Sequence, residues 1–161
     1  MPRPGAARAW PALLLAGVLG SCAPALLPAA PVGDEGDPVA LVKRLGWGSP
    51  EAFEAARPLL APRWPALDWA GNGCSAPRGL GLSYRDDFAP ACAVHDFAYH
   101  NLRVLEPTAA NRRASDDAFG VNLRAICARK ALVARPACLS AAAAYLAAVR
   151  LRGHTRFAPG T

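Results

Sequence analysis

The residues best suited to chemistry lie side by side near the middle of the chain. His95 and Asp96 are consecutive in a stretch that has the pattern of a helix, Cys-Ala-Val-His-Asp-Phe-Ala-Tyr. Consecutive residues of a helix project about 100° apart. One of the two side chains can therefore face a neighbouring helix while the other faces a different part of the molecule, and we expect them to have different partners.

Asp116 is the expected partner of the His95 imidazole. It precedes Phe119 and an apolar stripe on the next predicted helix, and an antiparallel helix pair would bring Asp116 against His95. A carboxylate bonded to one ring nitrogen orients the imidazole and leaves the other nitrogen to accept a proton. The pair predicts a general base, and a packed structural histidine is the alternative that these residues leave open.

Asp96 predicts a cation site. It would face the segment from Arg63 to Tyr84, which is rich in glycine and lets backbone carbonyls approach an ion. Carboxylate and carbonyl oxygens together are the ligands that suit Ca²⁺. A helical zinc pair is not expected, because His100 follows His95 by five positions and such a pair needs four.

Helices joined by loops must position these side chains. Apolar residues at helical spacing, with capping and breaking residues at the ends, predict helices over Val39–Leu45, Pro50–Leu60, Asp87–Leu105, Asn111–Leu132 and Pro136–Arg152. Pro90 is expected in the first turn of the third helix, where its missing N–H is harmless. No segment alternates with period two for long enough to predict a strand. The fold class is all-α, a small disulfide-bridged bundle.

The cysteines predict two disulfides. The chain contains Cys22, Cys74, Cys92, Cys127 and Cys138, and the last four allow three pairings. Cys127 and Cys138 flank the turn expected around Arg135 and Pro136 and are well placed to bridge it, which leaves Cys74 with Cys92. Each bridge would contribute about 3 kcal/mol. Zinc is the competing use, but no Cys-x-x-Cys is present and an exported protein meets an oxidising compartment.

The first residues have the layout of a secretory signal peptide. Arg3 and Arg8 precede a short apolar run from Ala12 to Leu19. Crossing a membrane takes about 20 apolar residues, so this run is too short to span one. We expect an exported protein, either secreted or anchored to the cell envelope.

Leu19-Gly20-Ser21-Cys22 resembles the lipobox of a bacterial lipoprotein, which predicts lipid attachment at Cys22. Cleavage at small residues near Ala23 is the alternative. The domain plan is a signal peptide at 1–21, a disordered tether at 22–37, a folded domain at 38–155 and a tail at 156–161.

Charge and composition exclude several classes of protein. The chain has 161 residues, a formal charge of +6 and a hydrophobic share of 53% that alanine inflates. It is neither a disordered chain, a multi-span membrane protein nor a collagen-like or repeat protein. The arginines Arg103, Arg124, Arg129, Arg150, Arg152 and Arg156 can attract anionic membranes or can simply be solvated. No nucleic-acid-binding motif accompanies them.

The residues from Trp64 to Gly153 combine these features into a longer pattern. Its specific core is Pro-Ala-Cys-x-x-His-Asp-Phe-x-Tyr, preceded by Asp68-Trp69 and followed by Asn111-Arg112-Arg113. The pattern resembles the secreted prokaryotic and fungal phospholipase A2 family. The resemblance implies a bundle in which two long antiparallel helices carry the site. It also implies Ca²⁺-dependent hydrolysis of the sn-2 ester of glycerophospholipids, with a membrane or micelle surface as partner; we expect a monomer.

Individual positions match the family motif. The resemblance implies that His95 is the general base, Asp116 its hydrogen-bonded aspartate and Asp96 a calcium ligand. It implies that Gly73 gives a backbone carbonyl to calcium, and that Cys74–Cys92 and Cys127–Cys138 are the family bridges. Asn72 stands where bacterial relatives usually have a calcium-binding aspartate.

The Asn72 difference keeps other functions open. An amide oxygen can bind Ca²⁺, but one formal charge is lost, so we expect weak calcium binding. A catalytically weakened member that binds lipid or a partner is one alternative. A structural envelope lipoprotein, in which His95 and Asp96 merely pack, is another.

Overall fold

The computed structural model describes residues 36–74 and 84–157, all within one compact unit, Gly33–Thr161. Its helices are α1 (Pro38–Gly46), α2 (Pro50–Leu60), α3 (Arg85–Leu105), α4 (Ala109–Ala128) and α5 (Arg135–Phe157), with a 3₁₀ turn at Leu132–Ala134. The described residues contain no β-strand, so the all-α prediction is confirmed. The predicted signal peptide at 1–21, Cys22, the predicted tether as far as residue 35, and residues 158–161 lie outside the described residues.

Side-chain caps begin three of the helices. Asp37 accepts a hydrogen bond from the Val39 amide at 2.8 Å, and Ser49 accepts one from the Ala52 amide at 3.2 Å. Thr108 does the same at the start of α4. Each cap satisfies an amide that the first helical turn leaves without a partner. These local signals are why the starts of α1 and α2 agree closely with the sequence prediction.

Helix boundaries further along the chain differ from the prediction. α3 begins at Arg85, so Pro90 lies inside the helix rather than in its first turn. α4 ends at Ala128, four residues earlier than predicted. The apolar residues that suggested a longer helix, Leu132 and Val133, are 74% and 92% exposed and pack against no core, so burial does not hold them in the helix. The turn bridged by a disulfide is therefore residues 129–134, and Arg135 already belongs to α5.

α5 buries Cys138, Ala141, Ala142 and Tyr145, whereas Leu139 is 45% exposed. The Cys127–Cys138 bridge holds position 138 against α4. By length and composition Leu132–Phe157 is apolar enough to cross a membrane, but in the structure its buried face packs in the bundle core.

α3 is the central helix, and the other long helices define a groove beside it. His95 on α3 and Phe119 on α4 are in ring contact, so α4 packs beside α3. Phe88 contacts Tyr145 at one end of α3, with ring centroids 5.2 Å apart, and Tyr99 contacts Phe157 further along, at 5.0 Å. Phe88 precedes Tyr99 on α3, and their partners Tyr145 and Phe157 follow in the same order on α5. α5 therefore runs in the same direction as α3.

Candidate active site

The structure brings His95 and Asp116 into direct contact. His95 Nε2 lies 3.1 Å from Asp116 Oδ1, and the two residues are only 7% and 1% exposed. The His95 ring also packs against Phe119, with centroids 4.7 Å apart. A carboxylate at Nε2 favours the tautomer with its proton on that nitrogen, so Nδ1 is the nitrogen left to accept a proton.

Two further groups support the buried carboxylate of Asp116. The Tyr99 hydroxyl donates to Oδ1 at 2.5 Å, and Arg112 Nη1 donates to Oδ2 at 3.0 Å. A buried carboxylate is costly unless it is paired and hydrogen-bonded, and here both oxygens have donors. Burial, followed by the hydrogen bond to Asp116, holds the pKa of Tyr99 well above its usual value, so the hydroxyl remains a donor.

The sequence analysis gives neither of these residues a role in the site. Two signals were available in the spacing: Tyr99 follows His95 by four residues, and Arg112 precedes Asp116 by four. Residues four apart share a helix face, so each lies beside a member of the predicted pair.

Asp96 projects away from Asp116, toward the loop that ends at Cys74. Its Oδ2 accepts the Gly73 amide hydrogen at 3.0 Å, and Gly73 has a φ of 75°, which glycine adopts without strain. Burial raises the pKa of Asp96, against lowering contributions from His95, His100 and the backbone amides. The carboxylate is therefore partly desolvated beside backbone polar groups.

The Asn72 amide completes this cluster of polar atoms. Turned with its nitrogen toward them, it donates to Gly73 O at 3.2 Å and to Asp96 Oδ2 at 3.1 Å. Turned the other way, its oxygen lies beside those two oxygens. No group of three His, Cys, Asp or Glu side chains able to hold a metal occurs among the described residues. A cation here would use one carboxylate with carbonyl and amide oxygens.

The loop that carries Asn72 and Gly73 is fastened to α3 at two places. The Cys74–Cys92 disulfide closes one end. At the other, Asn101 Oδ1 accepts the Asp68 amide hydrogen at 2.8 Å, and Asn101 Nδ2 donates to Asp68 O at 2.9 Å. His100 Nδ1 lies 3.0 Å from Asp68 Oδ2. These contacts hold the loop in a fixed position on the helix that carries His95 and Asp96.

A cavity of about 290 Å³ opens between α3 and α5 and connects these groups. His95, Asp96, Asn72 and Gly73 lie on its wall, so both parts of the candidate site face one space. Apolar residues supply much of the remaining lining, namely Phe119, Ala144, Tyr145, Ala148 and Val149. The arrangement joins a proton acceptor, an oxygen-rich cluster and room for an apolar chain.

The chain is similar in sequence to known phospholipases A2. Residues 49–153 match the family model described as prokaryotic phospholipase A2. The chain is also 36% identical over 111 residues to a secretory phospholipase A2 of Arthroderma benhamiae, an alignment that covers 65% of this chain and 68% of the relative.

Proposed function

Since this chain belongs to the prokaryotic phospholipase A2 family and is an enzyme of that type, we propose that it hydrolyses the sn-2 ester of glycerophospholipids with water activated by His95 and Asp116 and with Ca²⁺ as cofactor. The observation that carries the proposal is the 3.1 Å contact between His95 Nε2 and Asp116 Oδ1 on the wall of the cavity.

His95 acts as the general base. Its Nδ1 takes a proton from water as the water oxygen attacks the ester carbonyl carbon. Asp116 keeps the ring oriented and stabilises the imidazolium that forms. The same proton then passes from Nδ1 to the departing alcohol oxygen, which releases a fatty acid and a lysophospholipid. Water is the nucleophile, so no serine nucleophile is required.

Asp96, the Gly73 carbonyl and the Asn72 amide oxygen are the groups that would hold calcium. Bound there, calcium would supply positive charge where negative charge develops on the ester carbonyl oxygen. One carboxylate and neutral oxygens form a donor set of low charge, and affinity in calcium sites depends on ligand charge. We therefore expect activity that saturates only at high calcium, at about 10⁻⁴ to 10⁻³ M.

Export is part of the proposal. The relative from Arthroderma benhamiae is named a secretory enzyme, and the layout of residues 1–21 is that of a signal peptide. Lipid attachment at Cys22 would anchor the enzyme to the cell envelope.

The test is release of fatty acid from a phospholipid with a labelled sn-2 chain, in calcium and in chelator. Because general-base catalysis contributes about 10²- to 10⁴-fold, His95→Ala should lower the rate by that factor. His154→Ala is the matched control, since His154 is an exposed histidine that does not line the cavity. Full activity in chelator would contradict the calcium proposal. Wild type as inert as His95→Ala would favour the lipid- or partner-binding alternative.

A further inference from the structure

The structure separates the arginines that the sequence grouped together. Arg129 and Arg150 form ion pairs with Glu51 at 2.9 Å and Asp117 at 2.6 Å. Arg103, Arg152 and Arg156 instead line the cavity. Their guanidinium groups have no hydrogen bond or ion pair with any residue in the part of the chain that the structure describes.

The three cavity arginines lie at one end of the groove. On α3, Cys92, Asp96, Tyr99 and Arg103 follow one another at intervals of four, three and four residues, which places them on one face. On α5, Tyr145, Val149, Arg152 and Arg156 repeat the same intervals. On α5, Phe157 contacts Tyr99 and Gly153 stands against the Tyr99 hydroxyl, so Arg152 and Arg156 lie near Tyr99, and Arg103 follows Tyr99 by one turn of α3.

The groove therefore changes in polarity along its length. Tyr145 lies beside Phe88 near the start of α3, whereas the three arginines lie near Tyr99 or one turn beyond it, and Tyr99 itself follows His95 by one turn. Arg103 follows Asp96 by seven residues, which corresponds to about 10 Å along the helix. That separation is too long for contact with an ester held at His95, but it suits a group further along the same lipid molecule.

We propose that Arg103, Arg152 and Arg156 bind the phospholipid head group and select glycerophospholipids of net negative charge, such as phosphatidylglycerol, over zwitterionic phosphatidylcholine. The inference rests on the proposed function, because the ester at His95 sets the position of the head group. An amphipathic lipid fits the groove with its acyl chain toward Tyr145 and its head group toward the arginines.

The chemistry favours an anionic head group. Guanidinium groups bind phosphate oxygens through paired hydrogen bonds, and three of them exceed what a single bridging phosphate requires. A choline group would place a fixed positive charge among three cations that have no acidic partner in residues 36–74 and 84–157. A neutral, hydroxyl-bearing head group such as glycerol leaves the net charge of the lipid negative and can accept hydrogen bonds from the arginines.

Hydrolysis of lipid diluted in a large excess of neutral detergent tests the selection at low surface charge. We expect wild type to show a kcat/KM for phosphatidylglycerol about tenfold or more above that for phosphatidylcholine, equivalent to about 1.4 kcal/mol. Arg103→Gln, Arg152→Gln and Arg156→Gln combined should reduce the ratio to about two or less, mainly through the KM for phosphatidylglycerol.

A second triple variant controls for net charge. Arg124→Gln, Arg129→Gln and Arg150→Gln remove the same three charges from outside the cavity and should leave the ratio within about twofold of wild type. An equal loss of preference in both triple variants would mean general surface attraction and would overturn the proposal. So would a wild type that hydrolyses both lipids equally well.

Binding measurements keep the proposal separate from catalysis. Calorimetry with short-chain ether analogues of the two lipids, dispersed as monomers, does not need a hydrolysable ester. Tighter binding of the phosphatidylglycerol analogue that is lost in the cavity triple variant supports the proposal even if hydrolysis fails. Equal binding of both analogues overturns it. Inorganic phosphate is titrated in parallel, and binding as tight as that of the lipid analogue would show a phosphate site instead of a head-group site.

Discussion

Gly153 leaves the space that the Tyr99 hydroxyl occupies. A Cβ built at position 153 would stand 2.5 Å from Tyr99 Oη and 3.4 Å from Arg112 Nη1. Tyr99 and Arg112 are the two donors, other than His95, that hold the carboxylate of Asp116. A glycine on α5 thus permits the hydrogen bonds that fix the acid on α4 against the histidine on α3.

Gly153→Ala should lower activity without unfolding the protein. The added methyl group displaces the Tyr99 hydroxyl from Asp116, because the tyrosine ring is held between His95 and Phe157 and cannot easily turn away. We expect kcat to fall about tenfold with little change in KM, as for a group that acts by positioning the base. Alanine has a helix propensity about 1 kcal/mol better than that of glycine, and this gain offsets the cost of displacing the Tyr99 hydroxyl. The melting temperature should therefore change little.

A double variant isolates the cause. Tyr99→Phe removes the oxygen that the new Cβ would meet, and its ring carbon next to that oxygen is 3.5 Å away, an ordinary contact. In the Tyr99→Phe background, Gly153→Ala should therefore have almost no further effect on kcat. Strictly additive losses would mean that the two residues do not act through this contact.

Asp116→Asn and Asp117→Asn form a matched pair of neighbouring substitutions. Asp116 is buried against His95 and Arg112, whereas Asp117 forms an exposed ion pair with Arg150. Asp116→Asn should lower kcat by about 10²- to 10⁴-fold, since the imidazole loses its orienting carboxylate. Asp117→Asn should alter stability by at most about 1 kcal/mol and leave kcat near wild type. Similar rates for the two variants would argue against Asp116 in the proposed role.

Asn72→Asp should strengthen calcium binding. A second carboxylate beside Asp96 raises the charge of the proposed donor set, so we expect half-maximal activity at a calcium concentration about tenfold lower. In chelator the two carboxylates repel each other, so the variant should melt at a lower temperature than wild type and recover when calcium is added. Asn72→Ala, which removes the amide oxygen, should have the opposite effect on the calcium requirement. An unchanged calcium dependence in both variants would exclude position 72 as a ligand.

The two disulfides should have separable effects. Removing Cys74–Cys92 or Cys127–Cys138 by paired alanine substitution should each lower the free energy of unfolding by about 3 kcal/mol, as denaturant titration would measure. Only loss of Cys74–Cys92 should also raise the calcium requirement, because that bridge ends the loop containing Asn72 and Gly73. Equal calcium responses in the two variants would contradict a specific role for this loop.

The helices that were predicted best are those with local signals at their ends. Asp37 and Ser49 are capping residues next to prolines, and such contacts span only two or three positions of the chain. The end of α4 was predicted less well, because Leu132 and Val133 continue an apolar pattern and yet lie in solvent. Apolar character at helical spacing does not show which residues are buried against another helix.

The sequence by itself determined the all-α class, the adjacency of His95 and Asp96, and the cysteine positions, because these depend on residue type and short-range spacing. Only the tertiary structure decided that Tyr99 and Arg112 support Asp116, and which arginines line the cavity and which form surface ion pairs. Those outcomes depend on distances across α3, α4 and α5. Such distances are set by the packing of side chains far apart in the chain, and they cannot be inferred from residue types and short-range spacing.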